Sequence, residues 1–206
     1  MAARSYFNKV KQYYRALLLD SKVYLRLVTR GFVLGFAMGI LAVLVNQQAV
    51  LAVIQEALKS IQELAEEAIE LDFVGIFGLI WQNNILVTGM MIFFGFLLGY
   101  VPLVAVWGNG AVLGALFILF TRESIGQGLL FGVTVLPHGV LEIPAFLIAA
   151  AFGIKLGWAW LLPAAKGKRL QVLNQIVYEC LAIYGAVILL LAIAALIEAF
   201  WMVHLI

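Results

Sequence analysis

The chain has 206 residues, of which 65% are hydrophobic and only 12% charged, and its mean hydropathy is +1.08. A soluble domain carries about 25% charged residues, so composition excludes a soluble enzyme and places the chain in a lipid bilayer. The net charge of +2 supplies no basic face able to neutralise phosphates, and no nucleic-acid partner is expected. Cys180, the single cysteine, can form no disulfide within the chain, and a zinc ribbon or redox pair would need two.

Residues 1–29 form a basic segment in which Phe7, Val10, Tyr14, Leu17 and Leu18 recur at helical spacing, with Lys9, Lys11, Arg15 and Lys22 on other sides. This predicts an amphipathic helix on the inner membrane surface, held by apolar insertion and by anionic headgroups. A leader that only sets orientation and a helix that docks a partner both fit that pattern.

A transmembrane helix needs about 20 apolar residues to cross a hydrocarbon core about 30 Å thick. That length finds a bundle over residues 30–206, with spans at about 30–54, 84–102, 103–121, 129–152 and 180–201. The run from Asn84 to Thr121 holds two spans with almost no loop, which requires a tight hairpin. Between the first two spans, residues 55–72 set Leu58, Ile61 and Ala65 beside Glu56, Glu63, Glu66, Glu67 and Glu70, an outer acidic helix. Residues 73–81 are apolar but too short to span, and Gln82, Asn83 and Asn84 stop them, so they are expected to sit in or re-enter the outer interface. The fold class is therefore all-α: a polytopic transmembrane bundle of about five spanning helices, the fourth broken, plus amphipathic interfacial helices.

Lys and Arg stay on the cytoplasmic side during insertion. Arg4, Lys9, Lys11, Arg15, Lys22, Arg26 and Arg30 precede the first span, and Lys155, Lys166, Lys168 and Arg169 lie between the fourth and fifth. Only Lys59 and Arg122 remain, so five spans put both basic segments on one face. The expectation is a multi-pass cell-membrane protein with its N-terminus cytoplasmic and C-terminus outside, and with the first span retained rather than cleaved.

Glycine recurs within the spans at four-residue spacing: Gly31, Gly35 and Gly39, then Gly95 and Gly99, then Gly110 and Gly114. Such stripes let backbones approach closely in lipid, and packing within one chain and a homodimer both fit. Pro102 and the glycines are expected to loosen the hairpin end of the third span, with Asn109 bonding the freed backbone.

The fourth span carries Pro137-His138-Gly139 and Glu142-Ile143-Pro144. His138 and Glu142 are four residues apart, hence on one helical face near the bilayer centre. A charge there costs about 2.5 to 3.5 kcal/mol, so Glu142 should face the interior with His138 as its nearest partner. Pro137 and Pro144 each remove an amide donor and are expected to break or kink the helix. A discontinuous helix with ionisable groups at the midplane is a common way to build an ion site.

The sequence LPHGVLEIPAFLIAAAFGIKLG around this motif resembles the stage II sporulation protein M family of polytopic membrane proteins. Asn83-Asn84, the stretch from Gly95 to Gly99, Asn109-Gly110 and Leu196-Ile197-Glu198-Ala199-Phe200 extend the resemblance over roughly residues 30–200. The chain departs from the family pattern at Phe200-Trp201-Met202-Val203, where that pattern continues toward Thr-Pro. The resemblance implies a non-enzymatic scaffold or recruiting component of an envelope complex, partnered by other membrane or envelope proteins. In sporulating bacteria such a protein brings a peptidoglycan-degrading machine to the membrane during engulfment.

The polar residues leave an alternative: a transporter or channel for ions, protons or a small solute, using His138, Glu142, Pro137, Pro144 and Gly139, supported by Asn83, Asn84, Asn109 and Glu198. A metal is left open with His138 and Glu142 as candidates, and no cofactor is expected. Glu179 is expected to pair with Lys166, Lys168 or Arg169 at the cytoplasmic edge, whereas Glu198 lies deeper, facing His204, the acidic helix or the His138–Glu142 pair. An enzyme would need an activated nucleophile or base beside a cleft, which one His/Glu pair does not supply.

Overall fold

In lipid a backbone must satisfy its own N–H and C=O groups, and the computed structural model of the chain does so with helices alone: among the described residues there is no strand. It describes residues 2–55, 59, 71–161 and 168–205, without the side chains of 2–4, 134–138 and 204–205. The helices are α1 (Ala2–Asp20), α2 (Lys22–Val45), α3 (Phe73–Phe93, continued by a 3-10 turn Phe94–Phe96), α4 (Tyr100–Glu123), α5 (Ile125–Trp158) and α6 (Arg169–Leu205). Among the described residues, five helices are long and apolar enough to cross a membrane: Lys22–Val45, Phe73–Phe96, Tyr100–Glu123, Gly139–Trp158 and Arg169–Val203.

The spans shift from their expected bounds for identifiable reasons. α2 begins at Lys22, because only Ser21 separates it from α1, and it ends at Val45 rather than Ile54. Asn46 leaves the helical region at φ −150°, ψ 85°, and its side chain accepts from the Ala49 amide at 3.1 Å, starting a separate helical stretch over 47–55. The acidic helix expected at 55–72 lies almost wholly outside the described residues. Asp72 caps α3 by accepting from the Gly75 amide at 2.8 Å. Residues 73–81 are therefore not a separate short segment: they are the first half of the helix Phe73–Phe96, which is long and apolar enough to cross a membrane. Asn83 and Asn84 lie at its centre instead of before it.

The hairpin after α3 is tight, as its sequence requires. Leu98 and Gly99 take φ of 56° and 74°, which turns the chain within three residues. Pro102 sits in the first turn of α4, and its missing amide leaves the Leu98 carbonyl to accept from Trp158 Nε1 at 3.1 Å. Asn109 plays no part in that turn. Its Nδ2 bonds the Ala105 carbonyl one turn back in the same helix at 2.9 Å.

α2 and α4 run parallel and pack most intimately. A Cβ at Gly35 would overlap the Trp107 carbonyl, one at Gly39 the Ala111 carbonyl, and one at Gly110 or Gly114 the carbonyls of Phe32 and Phe36. Gly95 meets Gly153 in the same way, and Gly157 meets Gly95 and Gly99. The glycine stripes are thus used within the chain. α5 is the central helix: half of its spanning window is buried, against 17% for that of α3. Its 34 residues rise about 51 Å, and the helix continues through Pro137 and Pro144 without interruption. The break expected there is absent. Pro144 faces outward.

Candidate functional site

Asn84 occupies the middle of the span Phe73–Phe96, and two aromatic residues fix its helix against α6 on either side. Trp81 Nε1 donates to the Ile188 carbonyl at 3.2 Å, and Tyr184 Oη donates to the Ile85 carbonyl at 2.7 Å. One turn on, the buried Thr88 hydroxyl donates to the Asn84 carbonyl at 2.7 Å. So held, Asn84 Nδ2 reaches α5 and donates to Glu142 Oε1 at 2.6 Å. This bond puts Glu142 at midplane depth.

Among the described side chains, Asn84 is thus a hydrogen-bond partner of Glu142. The side chain of His138, expected in that role, lies outside the described ones, as does that of Pro137. Glu142, Asn83, Asn84, Thr88 and Asn109 all line one cavity of about 670 Å³, with Gly139 in its wall. Its apolar walls come from α2, α4, α5 and α6, including Phe32, Leu116, Phe131 and Leu191. Leu113, Leu116 and Phe120 on α4, and Phe131 on α5, extend the wall from mid-depth toward the end of the bundle that holds Asp72 and Ser124. Glu198 is half-buried on α6. The lining contains no Lys or Arg, and among the described residues no three His, Cys, Asp or Glu side chains gather as a metal site.

Of the residues singled out in the sequence, Glu142, Gly139, Asn83, Asn84 and Asn109 meet at this cavity, while Pro144 lines an apolar groove beside it. Thr88, Trp81 and Tyr184 were not singled out. Thr88 carried a signal, since it lies four residues from Asn84 on the same helical face. The aromatic donors carried none, because their carbonyl partners lie about a hundred residues away.

A second polar cluster lies at the opposite end of the bundle. Lys155, only 6% exposed, donates to Asp20 Oδ2 at 2.6 Å, Glu179 Oε2 at 2.8 Å and Ser21 Oγ at 3.2 Å. Gln175 donates to the other oxygen of Glu179 at 2.9 Å. Glu179 is thus paired with Lys155, while Lys166, one of the partners expected for it, lies outside the described residues. Lys155, placed between the fourth and fifth spans by the sequence reading, instead lies in the last turn of α5 and closes the end of the bundle that holds α1.

The chain matches the model of the family described as stage II sporulation protein M over residues 28–202. It is also 30% identical over 122 residues to an uncharacterized protein of Methanocaldococcus jannaschii, a match that covers 58% of this chain and 52% of that protein. The chain thus spans about half the length of that relative. No solved structure matches it. With its spans, its central motif and most of its length accounted for by the family model, the chain belongs to the stage II sporulation protein M family.

Proposed function

We propose that the midplane cavity binds a small cationic or polar solute, protons included, and that the protein moves it across the membrane. The observation that carries this reading is the convergence of Asn83, Asn84, Thr88, Asn109 and Glu142, from three helices, on one cavity at mid-depth. A polar cluster kept only to hold helices together must offset its own burial. A carboxylate at the helix centre costs about 2.5 to 3.5 kcal/mol, whereas an interhelical hydrogen bond in a membrane returns about 0.6 and at most about 1.7 kcal/mol. The bond from Asn84 leaves a deficit. Groups that meet water or a solute offset that deficit. A lining without Lys or Arg favours a cation over an anion. By the charge rule the end carrying α1 is cytoplasmic, so the cavity faces outward. The reading is non-enzymatic.

A second reading, a scaffold or recruiting component of an envelope complex, is favoured by membership of the stage II sporulation protein M family. Purified protein in liposomes separates the two. The native chain should dissipate an imposed proton or monovalent-cation gradient, and Glu142→Gln, which keeps an acceptor for Asn84, should not while remaining folded. Native protein that dissipates none of these gradients, together with an envelope protein that copurifies from native membranes and is lost in Glu142→Gln, would favour the scaffold.

A further inference from the structure

α1 is fastened to the bundle at two points. Asp20 and Ser21 bind Lys155, and six residues earlier Tyr14 Oη donates to the Ala182 carbonyl at 3.2 Å, with Leu17 buried between them. The depth of both points follows from helix rise. Glu142 and Leu191 line the midplane cavity. Lys155 lies thirteen residues from the first and Ala182 nine from the second, about 20 and 14 Å along their helices. The boundary of the hydrocarbon lies about 15 Å from the midplane. Both points lie near that boundary, so α1 meets the bundle at the level of the headgroups.

The apolar stripe of α1 is longer than its contact with the bundle. Tyr14, Leu17 and Leu18 are covered by α6 and its neighbours. Tyr6, Phe7 and Tyr13 lie on the same stripe at helical spacing, yet Tyr6 and Phe7 are 72% and 67% exposed. Lys9, Lys11 and Arg15 flank the stripe and are exposed. Asp20, the sole acid of α1, is spent on Lys155. We infer that the uncovered half of α1 is a docking surface for anionic phospholipid headgroups, with its aromatic rings at the headgroup boundary and its cations on the phosphates. Rings and cations side by side at this depth are the combination that interfacial helices use. This inference rests on α1 and not on the cavity, so it stands or falls independently of transport.

The test uses the full chain with Cys180→Ser and Phe7→Cys labelled with a nitrobenzoxadiazole dye, in nanodiscs of phosphatidylcholine with or without phosphatidylglycerol. Anionic lipid should shift the emission to the blue and increase quenching by doxyl-labelled lipid, and high salt should reverse both. Each basic residue contributes about fivefold at an anionic surface. Lys9→Gln, Lys11→Gln and Arg15→Gln together should therefore lower the docked-to-free ratio about a hundredfold. Equal quenching in the two lipid compositions overturns the inference and leaves the stripe to a protein partner. A response to phosphatidylglycerol that survives both salt and the triple substitution also overturns it.

Discussion

The polar residues gather in two clusters, one at mid-depth around Glu142 and one around Lys155 at the end that holds α1. Lys155 is the centre of the second. Its side chain and that of Glu179 are 8% and 11% exposed, whereas Asp20 is 70% exposed, so the pair with Glu179 carries the weight and the surface pair adds little. Removing one member of a buried pair leaves the other charge uncompensated, at about 3 kcal/mol. Lys155→Met should therefore lower the unfolding temperature in detergent by about 6–12 °C, and Lys155→Met with Glu179→Leu should recover most of it. Cys180 reports this directly: it is buried beside the pair, and a thiol-reactive coumarin should reach it only on unfolding. At this scale the sequence made Glu142 legible, because a carboxylate in an apolar run has few explanations. Its bond to Asn84 was not legible, because Asn84 is on another helix and a bond between helices leaves no periodic trace in either.

The elements were legible in kind and less so in extent. Apolar runs predict helices wherever lipid forbids open backbone, and the described residues hold five such spans. Boundaries shifted where a polar residue is served inside the bundle. Asn83-Asn84 reads as a stop only if nothing at mid-depth can receive it, and the cavity with Glu142 does. The prolines of α5 show the converse, since a missing donor does not end a helix that continues on both sides. The glycines predict a contrast between the α2–α4 contact and α3. Gly39→Ala should press its methyl on the Ala111 carbonyl, which is backbone and cannot turn aside, and should destabilise by about 1–3 kcal/mol. Gly78→Ala meets nothing within 4 Å and should be neutral or stabilising by up to about 1 kcal/mol through helix propensity. Unfolding followed through Cys180 in both variants checks the pair.

On the scale of the whole molecule, the five spans alternate in direction. One end thereby collects α1, the turn Leu97–Gly99 and the Lys155 cluster, and the other collects Asn46, Asp72 and Ser124. The interlocked glycines set α2 parallel to α4, α5 fills the centre, and the midplane cavity is what remains between them. That cavity is the central claim, and its contact with water can be read directly. In a Cys180→Ser background, Asn109→Cys should react with a charged, membrane-impermeant methanethiosulfonate added on the C-terminal side. Leu189→Cys, which faces outward on α6, should not. Asn109→Cys as inert as Leu189→Cys would mean that the cavity is closed to water, and would contradict a solute site at the membrane midplane.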